Sequence, residues 1–395
     1  MLDRASSIGS TTSALEGGLG RPSVTVVLPC LDEAAAIAAV VAEAWLGLRL
    51  AGVDGDVVVV DNGSGDGSGD LARQAGARVV PQSRRGYGAA IAAGIRAARG
   101  EIVVVADADG SYDLTRIGDL LAVLAAGADL AIGSRFGPAL APGAMPSLHR
   151  YLGTPALTNV LRLLTGSRII DSQSGFRAFR RAPIATLGVR SPGMEFASEL
   201  LLRAERDGWI VVETPVGYRP RLGESKLAPF ADGWRHLRLL LLLSPQLSLL
   251  LPSAIAIVVG ALFCALSLVA PQGVWLGPLR WLPVFLGPML LILGGQAGLL
   301  GLLAAHRSPL APPGLRHRLD WLGRPGGVWR LLAICAVVAA LGAALDVLLL
   351  VLWLGGRSGP QLLGLAGLAQ AAIVFGLGGI ATLLAVEFAR DSLLD

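Results

Sequence analysis

Short apolar runs alternate with longer segments of helical spacing between Val24 and Ser134. The runs are VTVVL, DVVVV, ARVV, EIVVVAD and DLAIGS. Helices are predicted from about Glu33 to Leu50, after Gly67, from Gly88 to Arg99 and from Leu114 to Ala126. Continuous Val and Ile strands joined by helices predict an α/β domain with a mostly parallel sheet covered on both faces. In such a sheet, ligands bind at the carboxyl ends of the strands.

A different pattern begins after Gln246, where four apolar stretches follow one another. They span residues 247–270, 282–305, 331–354 and 362–387. Each is close to the ~20 residues that an α-helix needs to cross the hydrocarbon core of a bilayer. The sequence therefore predicts an all-α transmembrane domain of four helices over residues 247–395.

Composition supports this division of the 395-residue chain. Apolar residues make up 53% of it and charged residues only 16%, which is too apolar for an ordinary soluble protein. Of the charged residues, 13 lie from Leu247 onward and 49 before it. The patterned soluble part and its few cysteines exclude a disordered chain and a disulfide-rich scaffold.

Shorter segments set the remaining boundaries. Residues 1–22 are small and polar and lack the apolar core of a signal peptide. We therefore expect a disordered lead-in, followed by a soluble domain over residues 23–229 that starts in the cytosol. Residues 230–246 combine Trp234, two arginines and a run of Leu, as in a juxtamembrane helix that lies in the headgroup layer. The alternative is the cytoplasmic start of the first span.

Arginine predicts the orientation in the membrane. The loop from His306 to Arg330 contains five arginines, whereas the loops around Arg280 and Arg357 contain one each. Arginine-rich loops mark the cytoplasmic side, so we expect a multi-pass cell-membrane protein whose soluble domain and C-terminus are cytoplasmic. The net charge of +4 is not clustered, and we expect a lipid bilayer rather than nucleic acid as partner.

Two carboxylates, Asp107 and Asp109, follow the strand EIVVVAD. Alternate residues of an extended segment point the same way, so both can face one ligand at the carboxyl edge of the sheet. Mg²⁺ or Mn²⁺ takes one or two protein oxygens and completes its shell from substrate phosphates. We favour this cation and diphosphate site over a turn of polar residues. Asp61, at the tip of the second strand, can accept from a base N–H or a ribose hydroxyl.

Basic side chains occur farther along, around Asp171. They are Arg135, Arg150, Arg177, Arg221 and Lys226. Arginine binds phosphate through two parallel N–H bonds, so these residues indicate an anionic substrate. For Arg177, Arg180 and Arg181, a solvated or headgroup-facing basic face is at least as good an interpretation. The chain lacks a G-x-G-x-x-G fingerprint after the first strand and lacks a P-loop, which argues against dinucleotide and P-loop NTPase chemistry.

The motifs carry a resemblance when they are taken in order. The segments are PCLDEA, VDNGSGDGS, DADGSYD, IGSRF, DSQSGFRAF and RLGESK. They resemble family-two glycosyltransferases of the GT-A fold, in particular the polyprenyl-phosphate branch that includes dolichyl-phosphate mannose synthase. The similarity covers about residues 24–240. Many relatives have Leu-Gln where this chain has Gly110-Ser111.

The resemblance implies a set of site residues. The nucleotide base would lie at Asp61, the ribose, diphosphate and metal at Asp107 and Asp109, and the reacting centre near Asp171. Catalytic roles are expected for Asp109, Asp171 and Arg135, and metal binding for Asp107 and Asp109. Donor and phosphate binding is expected for Pro29, Asp32, Glu33, Asp61, Asn62, Asp107, Ala108, Arg150, Arg221, Ser225 and Lys226.

The implied reaction is the inverting transfer of a hexose from a nucleotide-sugar of the UDP-glucose or GDP-mannose type to polyprenyl phosphate. It would occur at the cytoplasmic membrane face with Mg²⁺ or Mn²⁺. Two alternatives remain open at this point. One is a membrane glycosyltransferase that uses a lipid or polysaccharide hydroxyl, and the other is a non-catalytic membrane protein that binds nucleotide-sugar.

The predicted spans contain their own polar and small residues. Asp346 lies within the third span, where it could contact a proton or lipid phosphate or tie helices together, and we favour the second role. The segments GGQAGLLG and FGLGGIA predict close packing between helices, including between subunits of a homo-oligomer.

Overall fold

A computed structural model describes residues 23–391 except 138–139, 185, 224–228, 277–278, 282–283, 309–310, 312 and 325. The predicted lead-in, residues 1–22, and the predicted binding residues Ser225 and Lys226 lie outside the described residues. The chain divides into two compact units between Leu240 and Leu241.

Seven strands form the sheet of the first unit. They are β1 (Val24–Cys30), β2 (Gly55–Asp61), β3 (Arg78–Pro81), β4 (Ile102–Val105), β5 (Leu130–Ser134), β6 (Arg177–Arg180) and β7 (Val211–Pro215). Their order is β3-β2-β1-β4-β6-β5-β7. All neighbours pair in parallel except β6, which is antiparallel to both β4 and β5. The structure confirms the predicted α/β class with a mostly parallel sheet.

Helices α1 (Ile37–Ala51), α2 (Ser68–Gln74), α3 (Tyr87–Ala97), α4 (Ile117–Ala125) and α6 (Arg181–Ile184) pack against strands of this sheet. Helix α5 (Thr154–Thr165) packs against α7 (Phe196–Arg206), and α8 (Pro229–Leu243) begins in the first unit and extends past its last residue, Leu240. The four valines Val57–Val60 of β2 are all buried, which explains why the strand reads as a continuous apolar run. Helix α1 buries Val41 and Leu48 in the same core.

Helix α3 lies very close to the sheet at Gly94. A Cβ at this position would be 2.2 Å from Cγ1 of Val27. Only glycine therefore allows this approach without a shift of the helix. The close packing of α3 on the sheet also sets the position of Tyr87, its first residue, which contacts the candidate site.

The second unit contains four helices that are long and apolar enough to cross a membrane, in agreement with the prediction. These segments are Gln246–Val269, Leu286–Arg307, Gly327–Leu354 and Pro360–Glu387. The elements of this unit are α9 (Leu251–Val269), β8 (Val274–Leu276), β9 (Leu279–Trp281), α10 (Leu286–Arg307), α11 (Pro313–Leu319), α12 (Gly327–Leu354) and α13 (Pro360–Asp391). Strands β8 and β9 form an antiparallel hairpin.

Polar side chains join these helices. Gln370 of α13 donates a hydrogen bond to the carboxylate of Asp346 in α12. Gln296 of α10 donates to the backbone oxygen of Phe375 in α13 (3.0 Å). The contact at Asp346 favours the interpretation that its carboxyl ties two helices together.

Candidate active site

Three loops leave the sheet at its carboxyl edge. Cys30, the last residue of β1, pairs with Asp61, the last residue of β2. Val27 of β1 pairs with Val105, the last residue of β4. Because these strands are adjacent and parallel, the loops that begin after Cys30, Asp61 and Val105 lie side by side.

The loops after β1 and β2 are bonded to each other. The Asp32 backbone N–H donates to Ser64 Oγ (3.0 Å), and Asp32 Oδ1 accepts from the Gly65 N–H (2.7 Å). The Glu33 N–H donates to Ser68 Oγ (2.8 Å). Asp32 has a φ of +50°, in the left-handed region, and these bonds hold it there. The two loops therefore act as one rigid support.

Asn62 fixes a third loop. Its side-chain amide donates to the carbonyl oxygens of Gln82 (2.9 Å) and Arg84 (2.8 Å) and accepts from the Gly86 N–H (2.7 Å). The side chain is buried, and both amide hydrogens and the oxygen are used by backbone groups. Asn62 thus supports the start of α3, and its predicted contact with a donor stays a prediction.

Asp107 is half-buried and has a raised pKa. Its Oδ1 accepts a hydrogen bond from the Tyr87 hydroxyl (2.8 Å). Burial, together with the negative charge of Asp109, raises the pKa of Asp107 to about 6. The Tyr87 hydrogen bond and the charges of Arg135 and Arg221 act in the opposite direction. Asp107 and Asp109 are therefore close enough to interact electrostatically.

Asp109 is buried and faces a cation. Its Oδ1 accepts from the Ser111 N–H (3.0 Å) and hydroxyl (2.6 Å). Its Oδ2 lies 3.6 Å from Nη1 of Arg221, whose Nη2 donates to Glu33 Oε1 (3.0 Å). Arg221 thus joins the loop after β1 to the loop after β4.

Arg135 and Asp171, predicted separately, form one buried ion pair. Nε and Nη2 of Arg135 donate to the two carboxylate oxygens at 2.8 and 2.7 Å, and the Arg135 backbone N–H also donates (2.9 Å). The guanidinium lies 5.5 Å from the ring centre of Tyr218. Burial favours the neutral acid, but the charge and hydrogen bonds of Arg135 outweigh it and lower the pKa of Asp171. Asp171 is therefore an ionised, fully bonded carboxylate.

The position of Arg177 overturns one of the two interpretations made from the sequence. A solvated or headgroup-facing position is wrong for this residue, because its side chain is buried. Its three nitrogens donate to the carbonyl oxygens of Ser174 (2.8 Å), Ala197 (2.9 Å) and Ser172 (2.8 Å). Backbone carbonyls thus stabilise this guanidinium inside the fold.

Arg150, Pro29 and Ala108 are further predicted site residues within the described part of the chain. Arg150 is exposed, and its guanidinium lies 5.3 Å from the ring centre of Tyr151. Within the part of the chain that the structure describes, no hydrogen bond or ion pair joins Arg150 to the acidic side chains of the edge. Pro29 belongs to β1, and Ala108 is buried between the two acidic residues.

The sequence did not predict the hydrogen bonds of Arg219 that hold the segment before Arg221. Arg219 Nη2 donates to both carboxylate oxygens of Glu43 (2.9 Å each) and to the Tyr112 carbonyl (2.6 Å). The Leu222 N–H donates to the Asp109 carbonyl (2.8 Å). Glu43 lies within a helical stretch of apolar residues, where nothing in the local sequence marks it as a partner.

The acidic pair fits a divalent cation that shares its ligands with a diphosphate. Among the described residues, no cluster of three or more His, Cys, Asp or Glu side chains could hold a metal ion alone. Asp107 and Asp109 supply the one or two carboxylates that Mg²⁺ normally takes beside phosphate oxygens. Burial and then the negative charge of Asp109 raise the pKa of Asp107, and a bound cation would favour its ionised form.

A mostly parallel sheet with acidic side chains at its carboxyl edge, followed by four apolar helices, agrees with the GT-A fold expected from the sequence. The model of the family described as glycosyl transferase family 2 matches residues 25–188. The dolichyl-phosphate hexose transferase of Haloferax volcanii is 34% identical over 213 residues, which cover 53% of this chain and 89% of that relative. The chain belongs to glycosyltransferase family 2.

In two further relatives the match covers a smaller share of the relative's own length. The low-salt glycan biosynthesis hexosyltransferase of Haloferax volcanii is 36% identical over 247 residues, 62% of this chain and 60% of the relative. The polyprenol monophosphomannose synthase of Mycolicibacterium smegmatis is 38% identical over 187 residues, 44% of this chain and 70% of the relative. The chain thus spans about three fifths of the length of the first of these two.

Proposed function

We propose that this protein transfers a hexose from a nucleoside-diphosphate sugar to polyprenyl phosphate at the cytoplasmic face of the cell membrane, with inversion at C1. The observation that carries the proposal is the interacting pair Asp107 and Asp109, which lies beside Arg221 at the carboxyl edge of the sheet. In this proposal, residues 23–229 are the catalytic domain, residues 230–246 the juxtamembrane helix and residues 247–395 the membrane domain.

The proposed chemistry is a single displacement. A phosphate oxygen of the acceptor attacks C1 of the hexose, and the bond between C1 and the diphosphate oxygen breaks, so that the nucleoside diphosphate leaves with the electron pair. A monoester phosphate has a second pKa of about 6 and is mostly ionised near neutral pH. The acceptor therefore needs no strong general base, and positioning and charge neutralisation supply the rate.

The chain's own residues would neutralise and orient the leaving diphosphate. Arg221 already lies across Asp109 and Glu33 and can exchange these partners for phosphate oxygens, since guanidinium binds both anions in the same geometry. Mg²⁺ or Mn²⁺, held by Asp107 and Asp109, would supply positive charge to the leaving diphosphate. Asp61 would accept a hydrogen bond from the nucleotide base.

Asp171, which the resemblance places near the reacting centre, is not suited to be the base that a hydroxyl acceptor would need. A hydroxyl nucleophile needs a carboxylate base with a pKa near the working pH. The pKa of Asp171 is lowered, and both of its oxygens accept from Arg135, so this carboxylate is a poor base. The names of the relatives, a dolichyl-phosphate hexose transferase and a polyprenol monophosphomannose synthase, support the same class of acceptor.

A surface of the first unit supports the bilayer as partner. Residues 141–170 contain three arginines and no acidic residue. Large apolar side chains are exposed there, including Tyr151 (72%), Leu152 (63%) and Leu163 (72%). Exposed apolar side chains flanked by arginine fit the headgroup layer of an anionic membrane. The same segment lies between Arg135 and Asp171 along the chain.

A panel of nucleotide-sugars, tested with purified full-length protein and a divalent cation, separates the candidate functions. Each donor is offered with polyprenyl phosphate and, in parallel, with the matching polyprenol, and the mass of the lipid product is measured. We expect one donor to add a single hexose to the phosphate and not to the alcohol. A product on the alcohol would establish the hydroxyl-acceptor alternative, and binding of a donor without any product would indicate a non-catalytic protein.

A further inference from the structure

His236 is a buried histidine on α8, the helix that leads along the chain into the first apolar span. Its Nδ1 lies 2.8 Å from the Ser198 hydroxyl in α7. The ring is 5% exposed, although Trp234 and Arg235 beside it are exposed. Helix α8 therefore turns one polar side chain inward, towards α7.

The hydrogen bonds continue from Ser198 to the loop that follows Asp171. Gln173 Nε2 donates to Ser198 Oγ (3.0 Å) and to Ser172 Oγ (3.0 Å). The Ser172 hydroxyl also lies 2.8 Å from that of Thr158 in α5. A continuous series of hydrogen bonds thus joins His236, Ser198 and Gln173.

The donor and the acceptor of each hydrogen bond between Gln173, Ser198 and His236 can be assigned. Ser198 Oγ accepts from the Gln173 amide, so its own hydrogen is free to be donated to His236 Nδ1. This arrangement requires a neutral imidazole with an unprotonated Nδ1. Burial lowers the pKa of His236 to about 4, against the opposing charges of Glu195 and Asp232 and with that of Arg177.

The loop 171–175, which these hydrogen bonds reach, lies against the side chain of Asp107. Asp171 begins the loop and binds Arg135. Gly175 ends it, and a Cβ there would lie 2.6 Å from Oδ1 of Asp107. The Gly175 N–H also donates to the Tyr112 hydroxyl (2.7 Å). A shift of this loop would therefore move the surroundings of Asp107 and of the Arg135 pair together.

We propose that His236 is a positioning residue that holds the loop 171–175 in place through Ser198 and Gln173. This link makes the juxtamembrane helix part of the support of the catalytic site. The inference rests on the proposed function for its effect on turnover, but the link itself can be measured without turnover.

The test compares His236→Phe, which removes the acceptor and keeps a ring, with His236→Asn, whose Oδ1 can replace Nδ1. Full-length protein in nanodiscs is measured by hydrogen–deuterium exchange over residues 171–178 and by steady-state transfer to polyprenyl phosphate. His236→Phe should speed exchange of this segment and lower kcat at least about tenfold, with the donor KM within about twofold, because misplaced groups lose rate. His236→Asn should bring both the exchange rate of this segment and kcat most of the way back to the wild-type values. His317→Phe, the same change at a side chain that is 90% exposed, should match wild type.

If His236→Phe does not fold, a second variant, Ser198→Ala, still tests the proposal. Ser198→Ala breaks the same link without added bulk and should give the same faster exchange and lower kcat. Combined with His236→Phe, it should cause no further loss. Unchanged exchange and kcat in Ser198→Ala or in folded His236→Phe would overturn the link. If wild-type protein forms no lipid-phosphate sugar, the proposed function fails, and the exchange measurement alone decides the inference.

Discussion

The ion pair between Arg135 and Asp171 allows a prediction of stability. Asp171→Asn removes a buried negative charge and leaves the guanidinium of Arg135, whose side chain is only 12% exposed, without its counter-charge. Breaking a buried pair from one side typically costs about 3–5 kcal/mol. We expect this loss in the free energy of unfolding of the first unit, because Arg135 donates three hydrogen bonds to Asp171.

The loss can be measured by pulse proteolysis of the full-length protein in nanodiscs across a urea series, with cleavage within residues 23–229 as the readout. With a urea m-value of about 2 kcal/mol per M for a domain of this size, the midpoint should fall by about 1.5–2.5 M. Asp70→Asn is the control, because Asp70 and Arg73 form an exposed pair, which is worth at most about 1 kcal/mol. Equal shifts in the two variants would refute the reasoning.

The same pair has a defined pH dependence. The folded-state pKa of Asp171 is lowered, so the stabilisation is fully present above the unfolded value of about 3.9 and is lost as pH falls below it. The difference between wild type and Asp171→Asn should therefore be constant between pH 6 and 8. A difference that changes across this range would contradict an ionised Asp171.

Three further predictions concern other parts of the site. Because the pKa of Asp107 is about 6, kcat/KM for the donor should fall by about tenfold per pH unit below that value. The Tyr87 hydrogen bond lowers this pKa, so Tyr87→Phe should move the inflection of the profile to higher pH. A profile that is flat down to pH 5 would contradict this prediction. Asn62→Ala should lower the free energy of unfolding by about 1–3 kcal/mol, measured by the same urea series, and an unchanged midpoint would be inconsistent with its three buried bonds. Leu163→Asp should raise KM for long-chain polyprenyl phosphate in nanodiscs but not for a water-soluble short prenyl phosphate; equal effects would exclude a membrane contact at this surface.

The sequence predicted the parts of the fold that depend on local pattern. The buried valine runs of β1, β2 and β4 can be recognised in the sequence because both faces of a central parallel strand are apolar. Strand β6 was missed because it has only four residues, with arginine at both ends, and it runs antiparallel between two other strands. Its pairing follows from tertiary contacts and not from its own residues.

Some features of the candidate site could likewise be predicted from local sequence, and others could not. Asp107 and Asp109 could be proposed from their place after a strand. The bonding of Arg135 to Asp171 could not, because 36 positions separate them and each residue also suits a solvent-exposed loop. Arg177 was partly misjudged for a related reason, since backbone carbonyls brought together by the fold can stabilise a buried guanidinium without leaving a motif.

We propose above all that Asp109 helps to hold the diphosphate of the donor at the carboxyl edge of the sheet. The most direct measurement is the rate of sugar transfer to polyprenyl phosphate by Asp109→Ala, with urea midpoints as a check of folding. Asp54→Ala, at the exposed turn before β2, is the matched control. We predict that folded Asp109→Ala loses transfer while Asp54→Ala retains it. Transfer by Asp109→Ala within about tenfold of wild type would contradict the claim, because groups that neutralise a leaving diphosphate contribute several kcal/mol.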